Sequence, residues 1–310
     1  MVSIKLTRSL ESKTGPATGG TGFRYWRGKT AYLGVLPFLT LAGLFLLYPT
    51  WSVISGSFLD SDGNFSLLVL NEVFRSPATF QTFSNSLEIS IKTSLTGAVL
   101  GGLFAWALVT GKPGGHFYRF SVALSSVLAQ FGGVMLTFAF LATFGFNGLI
   151  STFAAKIAPD SFLAQPGWFY GMTGLTILYT FFQIPLMVLV FLPTLENMKP
   201  QWREASDSLG GKSYEYWLRI GIPILTPSFA GAALLLFVNS FSAYATAQTL
   251  VNMAEFLVPL SIQSALTSEV GLSNAAVAKS LSLMMIIIVI IAMSFYAALR
   301  RKSSKWEQKK

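Results

Sequence analysis

Six long apolar runs, uncharged through their centres, constrain this chain more than any other feature of its sequence. They span residues 31–57, 87–110, 120–145, 168–195, 222–247 and 280–299. Each run has about the 20 residues that an α-helix needs to cross the hydrocarbon core of a bilayer. The runs are continuous, whereas the strands of a membrane barrel alternate apolar with polar residues. The sequence therefore predicts an all-α membrane protein with six transmembrane helices.

The composition excludes other classes of protein. Only 11% of the 310 residues are charged and 52% are hydrophobic, whereas a soluble domain carries about 25% charged residues. Disordered chains are polar, so disorder is excluded as well. The chain has no Cys, and His116 is its one His. We therefore expect no catalytic triad based on His and no metal site built from thiolates or imidazoles.

The positive charges predict the orientation of the chain. Of the 22 Lys and Arg residues, 18 fall in four segments on the same side of the six spans, namely 1–30, 111–119, 196–221 and 300–310. Cytoplasmic segments carry such an excess, so both termini are expected in the cytoplasm. This distribution explains the net charge of +9 through orientation and attraction to the lipid bilayer, and predicts no nucleic-acid partner.

The spans divide the chain into three regions. Residues 1–30 are polar, basic and rich in Gly, without the apolar core of a signal peptide, and are expected to form a flexible cytoplasmic tail. Residues 31–299 form the predicted transmembrane domain. Residues 300–310 form a basic cytoplasmic tail.

The second run contains two local patterns. Gly97 and Gly101 form a pair of small residues that lets helices approach closely, either within the chain or between two chains. Glu88 and Lys92 are four residues apart, so they can form an ion pair on one face of a helix.

The segment between the fourth and fifth runs is unlike an ordinary loop. Pro200 suits the first turn of a helix, and Gly210-Gly211 suits the end of one. Ser213 can cap a second short helix that continues into the fifth run. The segment is therefore predicted to be a helix, a glycine turn and a second helix on the cytoplasmic side.

The spacing in this segment resembles the "EAA" loop of permease subunits of binding-protein-dependent ABC importers of the type I fold. The family pattern is Glu-Ala-Ala, three residues, Gly, about nine residues, then Ile-x-Leu-Pro. The matching positions are Glu204, Ala205, Gly210, Ile220 and Pro223. The departures are Ser206 and Gly211, where Ala is usual, and Ile222, where Leu is usual. The resemblance covers about residues 30–300 and is greatest to the branch that serves spermidine/putrescine, ferric iron, phosphonate, thiamine and sulfate.

The resemblance implies how the chain works. The loop 199–223 would couple it to a separate ATPase, with its first helix docked in a groove of an ATPase subunit. The implied coupling residues are Glu204, Ala205, Ser206, Leu209, Gly210, Ile220 and Pro223. The implied partners are an ABC ATPase dimer, a second permease subunit that is a paralogue more often than an identical copy, and an external solute-binding protein. The implied location is the cytoplasmic membrane of a bacterium.

The resemblance also implies that the chain is not an enzyme and holds no cofactor, because the partner ATPase subunits bind ATP. The Gly210-Gly211-Lys212-Ser213 sequence agrees, because a phosphate-binding loop needs Gly where this chain has Ser206.

The solute pathway is less apparent in the sequence. No span centre carries Asp, Glu, Lys or Arg, which argues against a proton-coupled carrier. The polar candidates in the fifth run are Asn239, Ser240, Ser242 and Tyr244. They either line a pathway or form hydrogen bonds between helices.

The function and the substrate leave alternatives open. A secondary carrier or channel that works without an ATPase is the main alternative, and a membrane scaffold or receptor is a third. The resemblance favours a polyamine as the solute. The acidic residues of the predicted outer segments would suit a polycation, although any outer loop could carry them; they are Asp60, Asp62, Glu72, Glu255 and Glu269.

Overall fold

The computed structural model describes residues 30–59, 64–111, 114–250, 257–267 and 273–307. The predicted N-terminal tail lies outside this part of the chain except for Thr30, as do four of the outer acidic residues, Asp60, Asp62, Glu255 and Glu269. Among the described residues the only β pairing is an isolated bridge between Leu59 and Phe65. The prediction of an all-α chain is confirmed.

Fourteen α-helices are described. They are α1 Thr30–Ala42, α2 Tyr48–Gly56, α3 Leu68–Arg75, α4 Pro77–Thr110, α5 His116–Gln130, α6 Val134–Phe144, α7 Leu149–Ile157, α8 Met172–Glu196, α9 Pro200–Ser208, α10 Ser213–Tyr216, α11 Ile222–Phe241, α12 Ala245–Leu250, α13 Val258–Thr267 and α14 Ser273–Glu307. Two π-helical turns, Gly43–Leu47 and Trp217–Gly221, join α1 to α2 and α10 to α11. Two 3₁₀ turns, Phe162–Ala164 and Pro166–Phe169, precede α8.

Six segments in the described part of the chain are long and apolar enough to cross a membrane. They are Val35–Gly56, Pro77–Thr110, Val134–Ile157, Met172–Glu196, Ser213–Phe241 and Ala275–Ala298. The number of spans predicted from the sequence is therefore confirmed. The chain divides into two compact units, Met1–Trp51 and Ser52–Lys310. In the first unit, the described part is a continuous apolar helix.

The second unit is built on the close approach of α4 and α8. A Cβ atom at Gly97 would lie 2.7 Å from Cβ of Gln183, and one at Gly101 would lie 2.6 Å from the carbonyl oxygen of Ile184 and 2.6 Å from Cβ of Met187. Only glycine lets the backbones come this near. The Gly97 and Gly101 pair therefore packs within the chain, which is the first of its two predicted uses.

The same contacts show that α4 and α8 run in the same direction, because Gly97 meets Gln183 and Gly101 meets Met187 one turn further along both helices. Helix α11 packs against α4 as well, and Leu236 lies 3.5 Å from the position of a Cβ at Gly97. Ala98, Ala105, Met187, Val188 and Leu236 are among the buried residues that these three helices share.

Helices α5 and α6 together run the length of α8 in the opposite direction. The Tyr118 hydroxyl donates a hydrogen bond to Glu196 at one end of α8. At the other end, the rings of Phe144 and Phe169 are 5.9 Å apart. The predicted run 120–145 covers both helices, whereas the apolar segment Val134–Ile157 combines α6 with α7. Helix α6 is therefore common to the predicted run and to the apolar segment, and α5 packs along α8 before it.

Two of the predicted runs contain breaks that their hydropathy does not reveal. Residues 131–133 separate α5 from α6, and residues 242–244 separate α11 from α12. Gly133 has a φ of 69°, in the left-handed region that favours glycine. Hydropathy reports which residues are apolar, and it does not report where the backbone leaves the helix.

We predict that Gly101→Ala destabilises the protein and that Gly43→Ala does not. Both changes raise helix propensity, but only the first places a methyl group against Ile184 and Met187, since nothing lies within 4 Å of a Cβ at Gly43. Overpacking of this kind costs about 1–3 kcal/mol, which corresponds to a fall in melting temperature of roughly 3–10 °C. Thermal unfolding in mild detergent measures the difference, and equal melting temperatures for the two variants would contradict the α4–α8 contact.

Candidate functional site

The loop between α8 and α11 contains α9, two glycines and α10. Lys199 is the N-cap of α9 and Pro200 is its first residue, where proline is favoured because its missing N–H would have no partner. At the other end, the N–H of Gly211 donates to the carbonyl of Ser206 (2.9 Å), and the N–H of Gly210 donates to the carbonyl of Asp207 (3.0 Å). This pair of hydrogen bonds is a Schellman motif.

The Schellman motif explains why a glycine stands at position 210. Its φ is 78°, a conformation that side chains with a Cβ atom rarely adopt. Gly211 follows in a confined place, since a Cβ there would lie 2.7 Å from Oγ of Ser206. The two glycines therefore end α9 and turn the chain sharply toward α10.

The start of α10 differs from the sequence prediction. Its N-cap is Lys212, and Ser213 is the first helical residue. The side chain that satisfies the backbone here is that of Glu215, whose carboxylate accepts a hydrogen bond of 2.9 Å from the N–H of Lys212. The prediction that Ser213 caps this helix is therefore wrong, because Glu215 at the third helical position supplies the acceptor.

The seven predicted coupling residues occupy one loop, and most of them are accessible. Glu204, Ala205, Leu209, Gly210 and Pro223 are exposed, and Ser206 and Ile220 are half-buried. Leu209 is 89% exposed, which is unusual for an apolar side chain at the end of a helix. Pro223 is the second residue of α11, so the set extends from α9 to the beginning of the fifth span.

A groove of about 660 Å³ lies between α9 and the start of α11. Five of the predicted residues line it, namely Ala205, Ser206, Leu209, Gly210 and Ile220. Trp202 and Arg219 line it as well, and the sequence reasoning missed both. Helical spacing could have found Trp202, because residues 202, 205, 206 and 209 share one face of an α-helix.

The charged side chains of the loop are available to a partner. Lys199, Arg203, Glu204, Asp207 and Lys212 are exposed. Within the part of the chain that the structure describes, the one ion pair is that of Glu88 and Lys92. The loop therefore presents an exposed leucine among unpaired charges of both signs.

The four predicted pathway residues take different positions. Ser240 is buried, and its Oγ lies 2.9 Å from Oγ1 of Thr93 on α4. Asn239 and Ser242 are exposed, and Tyr244 is half-buried in the break between α11 and α12. Ser240 therefore forms a hydrogen bond between helices, whereas Asn239 and Ser242 face away from the core of the chain.

Thr93, Gln183 and Ser240 form a buried polar network that joins α4, α8 and α11. The amide nitrogen Nε2 of Gln183 donates to Oγ1 of Thr93 (3.1 Å), and Gln183 is fully buried. The hydroxyl of Thr93 also donates to the carbonyl of Ile89 (2.8 Å). The side chain of Thr93 thus connects α4, α8 and α11 through hydrogen bonds.

The two helix breaks lie next to each other beside this network. A Cβ atom at Gly133 would lie 3.5 Å from Cβ of Ala245, and the hydroxyl of Tyr179 donates to the carbonyl of Ala243 (2.6 Å). Backbone that leaves the helical state within a membrane is tolerated only where it is buried in protein or lines a cavity. The breaks therefore place non-helical backbone beside Tyr179, one helical turn from Gln183.

We predict that Thr93→Val destabilises the protein by about 1–3 kcal/mol, because it leaves Gln183 and Ser240 buried without their partner. Valine keeps the shape of the side chain, so packing changes little. Thr226→Val is the matched control, since the exposed hydroxyl of Thr226 bonds only to the carbonyl of Ile222 on its own helix. Thermal unfolding in detergent compares the two variants. Equal melting temperatures for Thr93→Val and Thr226→Val would show that the network does not stabilise the fold.

We also predict that positions 206 and 211 are energetically coupled. Both depart from the family pattern, and a methyl group at position 211 would meet the hydroxyl of Ser206. Gly211→Ala should therefore speed tryptic cleavage after Lys212 about two- to threefold, as local opening becomes easier, and Ser206→Ala in the same chain should reverse part of that increase. Additive effects in the four-variant cycle would show that the two positions are independent.

Comparisons with known proteins identify relatives. No family model matches the chain. The "Putative ferric transport system permease protein FbpB 1" of Haemophilus influenzae is 22% identical over 215 residues, which are 68% of this chain and 32% of that relative. The "Sulfate transport system permease protein CysT" of Escherichia coli is 25% identical over 175 residues, 56% of this chain and 59% of the relative. The "Spermidine/putrescine transport system permease protein PotB" of Salmonella typhimurium is 25% identical over 223 residues, 65% of this chain and 70% of the relative.

A solved structure shares the fold. It is a bacterial alginate ABC transporter in complex with an alginate pentasaccharide-bound periplasmic protein, and its matching chain has a TM-score of 0.66 at 16% identity, covering 88% of this chain and 94% of that chain. The chain spans about a third of the length of the ferric relative. The resemblance to ABC importer permeases that the loop indicated is confirmed.

Proposed function

We propose that this relative of ABC importer permeases is one transmembrane half of an ATP-driven importer, and that it forms the path for a small solute delivered by an external binding protein. The observation that carries the proposal is the α9 loop, where the matched residues stand in the family's register between two membrane helices. The proposal includes the coupling role of Glu204, Ala205, Ser206, Leu209, Gly210, Ile220 and Pro223.

The geometry of the loop suits the transmission of force. Helix α9 follows α8 after a link of three residues, and α10 continues through the π-helical turn into α11. The Schellman motif and the Glu215 cap hold the turn between them. A partner that moves α9 would therefore displace the ends of two spans together.

The exposed surface of α9 suits a protein partner. Leu209 is an apolar anchor at the end of the helix, and burying a leucine side chain contributes roughly 1.5–3 kcal/mol. The small side chains of Ala205 and Ser206 leave the groove beside it open. We assign this surface to an ABC ATPase subunit, with a second subunit bound in the same way to a paralogous permease.

The pathway is assigned to the region of the two helix breaks. Asn239 and Ser242 are exposed there, and Tyr244 lies in the break itself. Ser240 is assigned the separate task of holding α11 against α4 through Thr93. A polar lining at this depth suits a water-soluble solute.

The location and the remaining partners follow from the proposed function. The chain is a multi-pass membrane protein, which we place in the bacterial cytoplasmic membrane with both termini in the cytoplasm. It performs no chemistry, and ATP is bound by the partner subunits. The solved structure with a periplasmic protein supports an external binding protein as the donor of the solute.

The names of the relatives and of the solved neighbour give different solutes. The relatives are named for ferric iron, sulfate and spermidine/putrescine, and the solved neighbour is an alginate transporter. A polyamine is the solute that the sequence resemblance favours, and the spermidine/putrescine relative supports it. The other three names point to different solutes, so the ligand of the matching binding protein must be identified directly.

The first experiment is purification of the tagged chain from its native membrane in mild detergent, followed by mass spectrometry. We expect an ABC ATPase and a second multi-span protein to co-purify. Recovery of the chain alone, or only with itself, in several detergents would favour a carrier or channel that works without an ATPase.

We predict that Gly210→Pro and Glu204→Lys abolish ATP-driven uptake while the chain is still inserted and still binds the second permease. Proline cannot adopt the φ of Gly210 and removes its hydrogen bond to Asp207, and the lysine reverses the charge offered to the ATPase. Uptake by membrane vesicles measures the loss. The rate of uptake should fall by more than about tenfold for each variant, which corresponds to a rise of more than about 1.4 kcal/mol in the barrier to transport.

The matched controls are Gly210→Asn and Asp207→Lys. Asparagine tolerates the left-handed conformation better than other residues, so Gly210→Asn should retain most of the uptake. Asp207→Lys applies the same charge reversal at an exposed residue that the pattern does not include. Normal uptake by Glu204→Lys, or equal losses for Glu204→Lys and Asp207→Lys, would refute the coupling role of Glu204.

A further inference from the structure

A stripe of polar residues runs along one side of α4. At about 100° per residue, its members fall within an arc of about 80° on the helix. They are Gln81, Asn85, Glu88, Lys92 and Thr96, which we call the α4 stripe. Four of them are exposed and Asn85 is half-buried. The stripe lies on the side of α4 away from Gly97 and Gly101, so it faces away from the core of the chain.

The polar groups of the α4 stripe are bonded to one another along the helix. The amide nitrogen Nε2 of Gln81 donates to Oδ1 of Asn85 (2.9 Å). Lys92 and Glu88 form an ion pair, with 62% and 58% of their side chains exposed. The hydroxyl of Thr96 donates to the carbonyl of Lys92. The stripe has no net charge, and much of its surface is open.

The register of α4 and α8 gives the depth of the stripe. Because Gly97 meets Gln183 and the helices run in the same direction, Glu88 lies level with Gly174 and Lys92 lies level with Leu178. Helix α8 is uncharged from Met172 to Leu195. The ion pair is thus near one edge of the membrane span, and Thr96 lies well inside it.

Lipid is a poor environment for this surface. Charged groups in the spans of membrane proteins face a bundle interior or a water-filled cavity, and the ion pair near the edge of the span is where such a cavity would open. Beyond Thr96 the same line of α4 becomes apolar, with Val99, Leu103 and Trp106. A polar line that ends at bulky apolar side chains matches an aqueous entrance that narrows to an apolar constriction.

We infer that the α4 stripe is a wall of the water-filled part of the solute pathway, and that Val99 marks where the water ends. The inference rests on the proposed function, because it requires a chain that moves a solute. The stripe offers amides, a hydroxyl, one carboxylate and one ammonium group. It therefore suits a polar solute that forms hydrogen bonds, and its zero net charge gives no general attraction to polycations or polyanions.

The chain is suited to a test by cysteine labelling, because it contains no Cys. Thr96→Cys, Val99→Cys and Ile287→Cys are made singly in the full chain, within the complex in membrane vesicles. Ile287 is 47% exposed near the middle of α14 and is the control for the membrane interior. The probes are membrane-impermeant methanethiosulfonates, one cationic and one anionic, which react with the thiolate and therefore need water at the site.

We expect Thr96→Cys to react with both probes, Val99→Cys to react at least about tenfold more slowly because an apolar site disfavours the thiolate, and Ile287→Cys not to react. An unreactive Thr96→Cys would overturn the inference, since the stripe would then face lipid or be covered by another subunit. Equal reactivity of Thr96→Cys and Ile287→Cys would overturn it as well.

The charges of the ion pair provide a second readout. Lys92→Gln in the Thr96→Cys chain should raise the ratio of cationic to anionic labelling rates about three- to tenfold, and Glu88→Gln should lower it by a similar factor, because a unit charge a few ångströms away acts on the two probes with opposite sign. Unchanged ratios would show that the pair points away from the water at Thr96 and would overturn its place in the wall.

The two proposals can fail separately in the same vesicles. Co-purification of an ATPase and ATP-driven uptake report the proposed function. An intact importer with an unreactive Thr96→Cys would overturn only the inference about the α4 stripe. A reactive Thr96→Cys in a chain without an ATPase would overturn the importer assignment and support an aqueous wall in a carrier or channel.

Discussion

The close contact of α4 with α8 through Gly97 and Gly101 is the constraint on which the second unit depends. In a membrane, apolar side chains gain little by leaving lipid for protein, so helices associate through tight packing and polar contacts. Glycine allows that packing here, and it brings Thr93 and Gln183 within hydrogen-bond distance of each other (3.1 Å). Ser240 then joins the third helix to the same point. The register of α4, α8 and α11 follows from these few contacts.

That register places the proposed working parts of the chain. The loop that contains α9 connects the end of α8 to the start of α11. Both of these helices form hydrogen bonds to Thr93 of α4. The two helix breaks meet beside the buried network, at Gly133 and Ala245. A displacement at α9 would thus reach the breaks through helices that share one polar contact. The α4 stripe lies on the side of α4 away from Gly97 and Gly101, so it takes no part in the packing of α4 against α8.

Much of the fold could be predicted because it depends on local properties of the chain. Apolar length identified six spans, and the Gly210-Gly211 pair identified the end of α9. The errors and omissions concern positions where local rules allow more than one outcome. Ser213 is a good N-cap residue, yet Glu215 supplies the acceptor from inside the helix. The breaks at residues 131–133 and 242–244 lie within apolar runs. Hydropathy does not predict where the backbone of such a run leaves the helical conformation.

The sequence by itself determined the class of the chain, the number of its membrane helices and the spacing of its candidate coupling loop, because hydropathy and motif register are properties of consecutive residues. The tertiary structure decided which polar residues hold helices together and which remain open. Ser240 and Asn239 are neighbours in the chain, yet one is buried against Thr93 and the other is exposed. The physical reason is that burial depends on contacts between helices far apart in the sequence, and those contacts exist only once Gly97 and Gly101 have set how α4 and α8 pack.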